Sequence, residues 1–214
     1  MDPVLFARGV AIGFSIAAPV GPIGVLCIRR TLADGRAAGF VSGLGAAAAD
    51  AVYGGIAGFG LTALASLLLS HQGAFRLVGG AFLCYLGVRT FRSRPASGAT
   101  SLSGAGLTRG FGSTFLLTLT NPLTILLFAA VFAGLGAVGS HGGPSAAATL
   151  VAGVFAGSAL WWLTLSVTVG AMRSRLNLAA LGWVNRLAGL VILGFGVAAL
   201  LSGLPSPPFR RGSG

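Results

Sequence analysis

Apolar runs of helix length recur along this 214-residue chain and restrict it to a fold that lies in lipid. A bilayer-spanning helix needs about 20 apolar residues. Hydrophobic residues make up 55% of the chain and charged residues only 8%, whereas ordinary soluble domains have about 25% charged residues. The sequence therefore predicts an all-α integral membrane protein with six transmembrane helices. Candidate spans lie near 4–28, 38–64, 74–91, 110–138, 145–172 and 185–203.

The basic residues indicate how these spans are oriented. All 14 are arginines, and they cluster between the apolar runs instead of forming one stripe, which argues against a nucleic-acid partner. Cytoplasmic loops of membrane proteins carry an excess of arginine and lysine. Most of the arginines follow predicted spans 1, 3 and 5, so both termini are predicted to lie outside. These arginines are Arg29, Arg30, Arg36, Arg89, Arg92, Arg94, Arg109, Arg173, Arg175 and Arg186.

The chain divides into two similar halves. A Pro-, Ser- and Gly-rich stretch predicts a cytoplasmic linker over 95–106, between three-helix units at 1–94 and 107–204, with a disordered tail at 205–214. The sequence Arg76-Leu77-Val78-Gly79 in helix 3 matches Arg186-Leu187-Ala188-Gly189 in helix 6. A unit of three spans inserts its second copy upside down, which predicts two inverted three-helix repeats. Secondary transporters are often built in this way, with a binding site at mid-membrane between the repeats.

Proline motifs predict that helices 1 and 4 are broken at similar depths. The first contains Pro19, Gly21 and Pro22, and the second contains Asn121 and Pro122. A proline within a helix frees a backbone carbonyl, which in lipid must be satisfied by neighbours, water or a bound solute. We expect the two breaks to face each other as a hinge or binding site. The alternative is that the prolines only kink the helices for packing.

A polar face leads to the second break. Thr114, Thr118 and Asn121 are spaced i, i+4 and i+7, so they share one face of helix 4 and could line a polar path. Threonines in membrane helices also bond their own backbone, and that interpretation is equally open here. Asn121 and Thr118 are the candidate site residues of this face.

Asp50 is the one acidic residue inside a predicted span. It lies roughly 20 Å along its helix from Arg36, near the middle of a bilayer core about 30 Å thick. An ionisable group at such a depth marks a proton carrier or the counter-ion of a cationic substrate. A purely structural carboxyl group is the alternative. Trp161 and Trp162 are too deep for the interfacial aromatic belt, and one of them could wall a substrate cavity.

Four segments of the chain carry a family resemblance. They are the run Ala18-Pro19-Val20-Gly21-Pro22-Ile23-Gly24, the following Ile28-Arg29-Arg30-Thr31-Leu32, the Gly-rich helix bearing Asp50, and Thr120-Asn121-Pro122. Together they resemble the lysine exporter (LysE/RhtB) family. The resemblance covers nearly the whole chain. It implies proton-driven export of amino acids or related small solutes across a bacterial inner membrane, with Asp50 and both proline motifs as functional positions. Amino-acid exporters of this family tend to have Asn or Gln at the position of Ile23. The substrate therefore stays open among basic amino acids, neutral amino acids and metal cations.

Two alternatives come from other classes of protein. A membrane thiol-disulfide electron carrier would use Cys27 and Cys84, but both lie in the first half, whereas an inverted-repeat relay is expected to have one in each half. A scaffold would leave Asp50 and the proline breaks unexplained. No enzyme constellation is recognisable, and neither a cofactor nor a metal site is predicted. The expected partners are a small solute, protons and membrane lipid, with a homodimer left open.

Overall fold

All regular structure in the described part of the chain is helical. The computed structural model describes residues 2–19, 21–59, 67, 70–93, 104–121, 124–128 and 138–203. A helical turn at 124–128 and a 3-10 turn at Arg173–Arg175 accompany the longer helices. The all-α class is thus confirmed. The helices are α1 (Pro3–Ala17), α2 (Pro22–Asp34), α3 (Arg36–Gly58), α4 (Gln72–Phe91), α5 (Gly104–Leu119), α6 (Val138–Met172) and α7 (Leu178–Gly203).

Three described helical segments are long and apolar enough to cross a bilayer: α4 (Gln72–Phe91), the part of α6 over Gly143–Met172, and α7 over Leu178–Ser202. Helix α6 is kinked at Gly143, where φ is 65. Helices α1 and α2 make a fourth candidate span if they are counted together, with a bend of 84° between them. Helix α5 has only 16 described residues. Residues 60–66 and 129–137 of the predicted spans, most of the 95–106 linker and the 205–214 tail lie outside the described residues, so six spans remain a prediction.

Glycines let α1 and α6 cross at backbone contact. A Cβ atom added to Gly9 would lie 2.9 Å from the Cα atom of Gly153. One turn further along, a Cβ atom on Gly13 would overlap the carbonyl oxygen of Val154, and one on Gly157 would overlap that of Val10. Small residues that allow such close approach are a main source of helix association in lipid, because apolar burial contributes little there.

Helix α3 lies between its neighbours and contacts α2, α5 and α6. Its small residues Ala46, Ala47 and Ala49 are buried, and they bring the backbone close to the adjoining helices. The exterior is apolar in contrast to that of a soluble protein, with large side chains such as Val78, Leu187 and Leu201 exposed. This arrangement buries the side of α3 that bears Asp50, while Val52 on the same helix belongs to the apolar outer surface.

Candidate functional site

The first proline motif separates α1 from α2. Helix α1 ends at Ala17, and Gly21 has the extended conformation φ −116, ψ −164 as the N-cap of α2. Pro22 occupies the first helical position, where its missing N–H group is tolerated. No side chain caps this end of α2, so the first-turn amides of Ile23 and Gly24 have no intrahelical acceptor. The break therefore presents the positive end of a helix dipole.

The second motif ends α5. Helix α5 stops at Leu119, Asn121 is non-helical, and the chain is helical again at 124–128. The Asn121 amide donates to the Thr118 carbonyl oxygen at 3.2 Å, and the Asn121 carbonyl oxygen accepts from the Ile125 amide at 3.2 Å. Pro122 lies outside the described residues. The described part of the motif is thus an interruption between two helical segments.

Tyr53 bonds the end of α5. Its hydroxyl group donates to the Leu119 carbonyl oxygen at 2.6 Å. That carbonyl belongs to the last turn of α5, where backbone oxygens lack intrahelical donors. In lipid such an oxygen must be satisfied by a neighbouring group. Tyr53 is not among the residues predicted from the sequence, because its partner lies on another helix, 66 residues further along the chain.

Asp50 is buried in α3, with 3% of its surface exposed. Its Oδ2 atom accepts a hydrogen bond of 2.7 Å from the hydroxyl group of Ser158 on α6. The other two acidic residues differ in both place and role. Asp2 caps the exposed start of α1, and Asp34 ends α2 with its carboxylate 3.7 Å from the Arg29 guanidinium. Asp50 is therefore the carboxyl group that can act inside the protein.

Both interruptions and Asp50 line one small cavity of about 50 Å³, which we call the Asp50 cavity. The volume admits a few water molecules and is far below the about 300–1,000 Å³ of typical ligand pockets. Six of the seven predicted site residues line it, and Pro122 lies outside the described residues. The six are Pro19, Gly21, Pro22, Asp50, Thr118 and Asn121, and further lining residues include Ile23, Gly24, Thr124 and Trp162.

Trp162, and not Trp161, borders the Asp50 cavity. Trp162 is 3% exposed, and its side chain packs against Gly43, where an added Cβ atom would overlap it. Within the described part of the chain its indole N–H has no hydrogen-bond partner. Trp161 instead meets Phe14 edge-on, with ring centroids 5.3 Å apart. Trp162 therefore borders the Asp50 cavity and carries a buried N–H group that has no partner among the described residues.

The hydroxyl groups on the polar face of α5 bond their own helix. Thr118 Oγ1 donates to the Thr114 carbonyl oxygen at 2.9 Å, and Thr114 Oγ1 donates to the Gly110 carbonyl oxygen at 3.0 Å. The backbone-bonding interpretation thus describes both threonines. Of the two, Thr118 also borders the Asp50 cavity, where its oxygen can still accept a hydrogen bond.

The two cysteines do not line the Asp50 cavity. Cys27 is a fully buried free thiol in the apolar core, and Cys84 is a half-buried free thiol on α4. Among the residues that the structure describes, no group of three His, Cys, Asp or Glu side chains could hold a metal ion.

Comparison with known proteins points to one family. The family described as "LysE type translocator" matches residues 14–203. "Putative amino acid efflux protein YcgF" of Bacillus subtilis (strain 168) is 27% identical over 196 residues, covering 90% of this chain and 93% of that protein. "Uncharacterized membrane protein YahN" of Escherichia coli (strain K12) is 31% identical over 137 residues, covering 62% and 61%. No solved structure matches the chain at a significant level.

Proposed function

Since this multi-pass membrane protein belongs to the LysE type translocator family, we propose that it exports amino acids or related small solutes across the bacterial inner membrane, driven by protons. The observation that carries the proposal is the position of Asp50. This buried carboxyl group borders a cavity that both helix interruptions also line. A carboxyl group inside a membrane protein can carry a proton or pair with a cation.

The groups around the Asp50 cavity complement a zwitterionic solute. Asp50 can pair with an ammonium group. The uncapped start of α2 and the indole N–H of Trp162 can both donate to a carboxylate. A carboxylate at a helix N-terminus is stabilised by the dipole as well as by the free amides. Amino acids carry both kinds of group, and this supports them as the substrate class.

Transport requires the Asp50 cavity to change size. A space of about 50 Å³ is too small for an amino acid, so we assign the structure to a closed state in the transport cycle. The two interruptions remove helical hydrogen bonds on either side of the cavity and can act as hinges. In the proposed cycle two inverted three-helix repeats rock about this point, opening the cavity to each side in turn.

We expect Asp50→Asn to abolish proton-coupled export, because the amide retains the size of the carboxyl group but carries neither a proton nor a charge. The measurement is uptake of a panel of labelled amino acids into inverted vesicles with an acidic interior, at matched expression. Asp2→Asn is the matched control, since asparagine also caps a helix well and Asp2 is exposed. We expect export to fall more than tenfold for Asp50→Asn and to be unchanged for Asp2→Asn.

A second assay separates the two roles of Asp50. Exchange of labelled for unlabelled solute, without a gradient, requires binding but no net proton movement. If Asp50 only carries the proton, exchange survives in Asp50→Asn, whereas a counter-ion role predicts that exchange is lost as well. Undiminished export by the variant would show that Asp50 is structural, and failure of the native chain to move any amino acid would reject the proposed function.

A further inference from the structure

A second and larger cavity lies beside the Asp50 cavity. Its volume is about 290 Å³, at the lower end of the about 300–1,000 Å³ typical of ligand pockets. Four arginines from three helices border it, together with a single acidic residue, and we call it the arginine cavity. Its charged residues are Arg29, Arg30, Arg89, Arg109 and Asp34.

Arg30 is fixed at the wall of this cavity. Its guanidinium Nη1 atom lies 3.0 Å from the Ser42 hydroxyl, 3.0 Å from the Gly110 carbonyl oxygen and 2.8 Å from the Thr114 hydroxyl. Its Nη2 atom donates to the Ser113 hydroxyl at 2.8 Å. None of these acceptors carries a negative charge. Arg30 therefore links α2, α3 and α5 while its positive charge stays unneutralised by them.

The remaining arginines differ in how they are held. Arg29 donates to the Asn185 side-chain oxygen at 2.9 Å and to the Ser93 hydroxyl at 2.7 Å, and its guanidinium lies 3.7 Å from Asp34. Arg89 and Arg109 are exposed, and within the described residues neither makes a hydrogen bond or an ion pair. Four guanidinium groups thus face one carboxylate around a concave space, which concentrates positive potential there.

The two cavities lie about one helical turn apart along the same helices. On α3, Ser42 borders the arginine cavity and Ala46 borders the Asp50 cavity. On α5, Ser113 borders the former and Thr118 the latter. The hydrogen bonds from Arg30 to Ser42 and Thr114 lie in the helical turn that separates the two cavities. A solute anion that drew Arg30 away from these hydroxyl groups would loosen the contacts between the two cavities.

We propose that the arginine cavity binds the carboxylate of the exported solute before the solute reaches Asp50. The inference rests on the proposed export of amino acids. Guanidinium groups bind carboxylates through paired, charge-assisted hydrogen bonds, and Arg89 and Arg109 are placed to provide them. The phosphate of an anionic lipid headgroup has similar chemistry, so the test includes both sources of anion.

The test measures anion binding to the purified full-length chain in phosphatidylcholine nanodiscs. Sodium acetate is titrated against sodium chloride at equal ionic strength while the thermal unfolding midpoint is recorded, because a ligand of the native state raises that midpoint. Glycine and glycinamide form a second pair of probes, since they differ in the carboxylate. A further sample replaces part of the phosphatidylcholine with phosphatidylglycerol and contains no acetate.

We expect acetate and glycine to raise the midpoint in a saturable manner, and glycinamide to lack the part of this effect that Arg89→Gln/Arg109→Gln removes. The double variant Arg89→Gln/Arg109→Gln should weaken acetate binding by about tenfold, the order expected when charge-assisted hydrogen bonds are lost. The control Arg8→Gln/Arg175→Gln removes the same charge from exposed positions outside the cavity and should bind like the native chain.

Several results would overturn the proposal. The first is the absence of saturable acetate binding, and the second is acetate binding by the double variant that equals that of the native chain. The third is stabilisation by phosphatidylglycerol that the double variant removes, while acetate has no effect. Asp50→Asn should still bind acetate, since Asp50 does not border the arginine cavity. Because binding is measured without flux, failure here is distinguishable from failure of the proposed export.

Discussion

At the scale of single residues, Ser158 and Trp162 explain why α6 contributes to the Asp50 cavity. They are four residues apart and therefore share one face of the helix. Ser158 bonds the Asp50 carboxyl group, and Trp162 borders the same space. Gly43 on α3 leaves the room that the indole ring occupies. A carboxyl group, a hydroxyl group and an indole N–H are thus gathered from two helices that are distant in sequence.

We predict that Trp162→Phe raises the KM for export by about threefold to tenfold, because it retains an aromatic ring but removes the N–H donor. Transport at saturating solute should change less. The measurement is the concentration dependence of uptake into inverted vesicles. Trp161→Phe is the matched control, since that ring packs against Phe14. Equal effects of the two substitutions would argue against a solute contact at Trp162.

At the scale of secondary-structure elements, the crossing of α1 and α6 places the first helix break beside α6. Gly9, Gly13, Gly153 and Gly157 bring the two backbones together before α1 ends at Ala17. Because α1 is held against α6, the residues after Ala17 lie beside the face of α6 that bears Ser158 and Trp162. Close packing of small residues therefore positions the Asp50 cavity.

We predict that Gly13→Ala lowers the free energy of unfolding by about 1–3 kcal/mol, because its methyl group would overlap the Val154 backbone in a closely packed crossing. Denaturant titration of the purified chain in detergent micelles measures the change. The control is Gly194→Ala on α7, where an added Cβ atom meets no atom of the described residues within 4 Å. The crossing would not limit stability if both variants unfolded like the native chain.

At the scale of the whole molecule, charge and apolar surface are arranged for a membrane. Large apolar side chains are exposed along α4, α6 and α7, where lipid can cover them. The arginine cavity gathers four arginines at one end of the helices, while Asp50 lies about two turns beyond Ser42 along α3. The position of these arginines at one end of the helices is compatible with a predicted cytoplasmic side that is rich in arginine.

We predict that both termini lie outside the cytoplasm and that the 95–106 linker lies inside it. Alkaline phosphatase fused after Gly214 should be active in intact cells, because this enzyme folds only outside the cytoplasm, where its disulfides form. A fusion at Ser101 should be inactive there. The reverse pattern would contradict the orientation predicted from the arginines, and equal activity of the two fusions would contradict the predicted spans.

Local properties of the chain account for what could be predicted without a structure. Composition and the length of the apolar runs predict a helical membrane protein, because lipid leaves few other ways to satisfy the backbone. Proline chemistry predicts the end of α1 near Pro19 and the interruption near Asn121. Asp50 is evident as the one acidic residue of a long apolar segment.

The remaining features depend on how the helices are rotated and packed. Adjacent positions such as Trp161 and Trp162 point about 100° apart on a helix, and only the packing of α3 on α6 decides which of them meets the Asp50 cavity. Ser158 and Tyr53 have no local signal, since each acquires its partner from another helix. The arginine cavity likewise forms because α2, α4 and α5 bring together charges that the sequence places as many as 80 residues apart. Tertiary packing alone makes these long-range contacts.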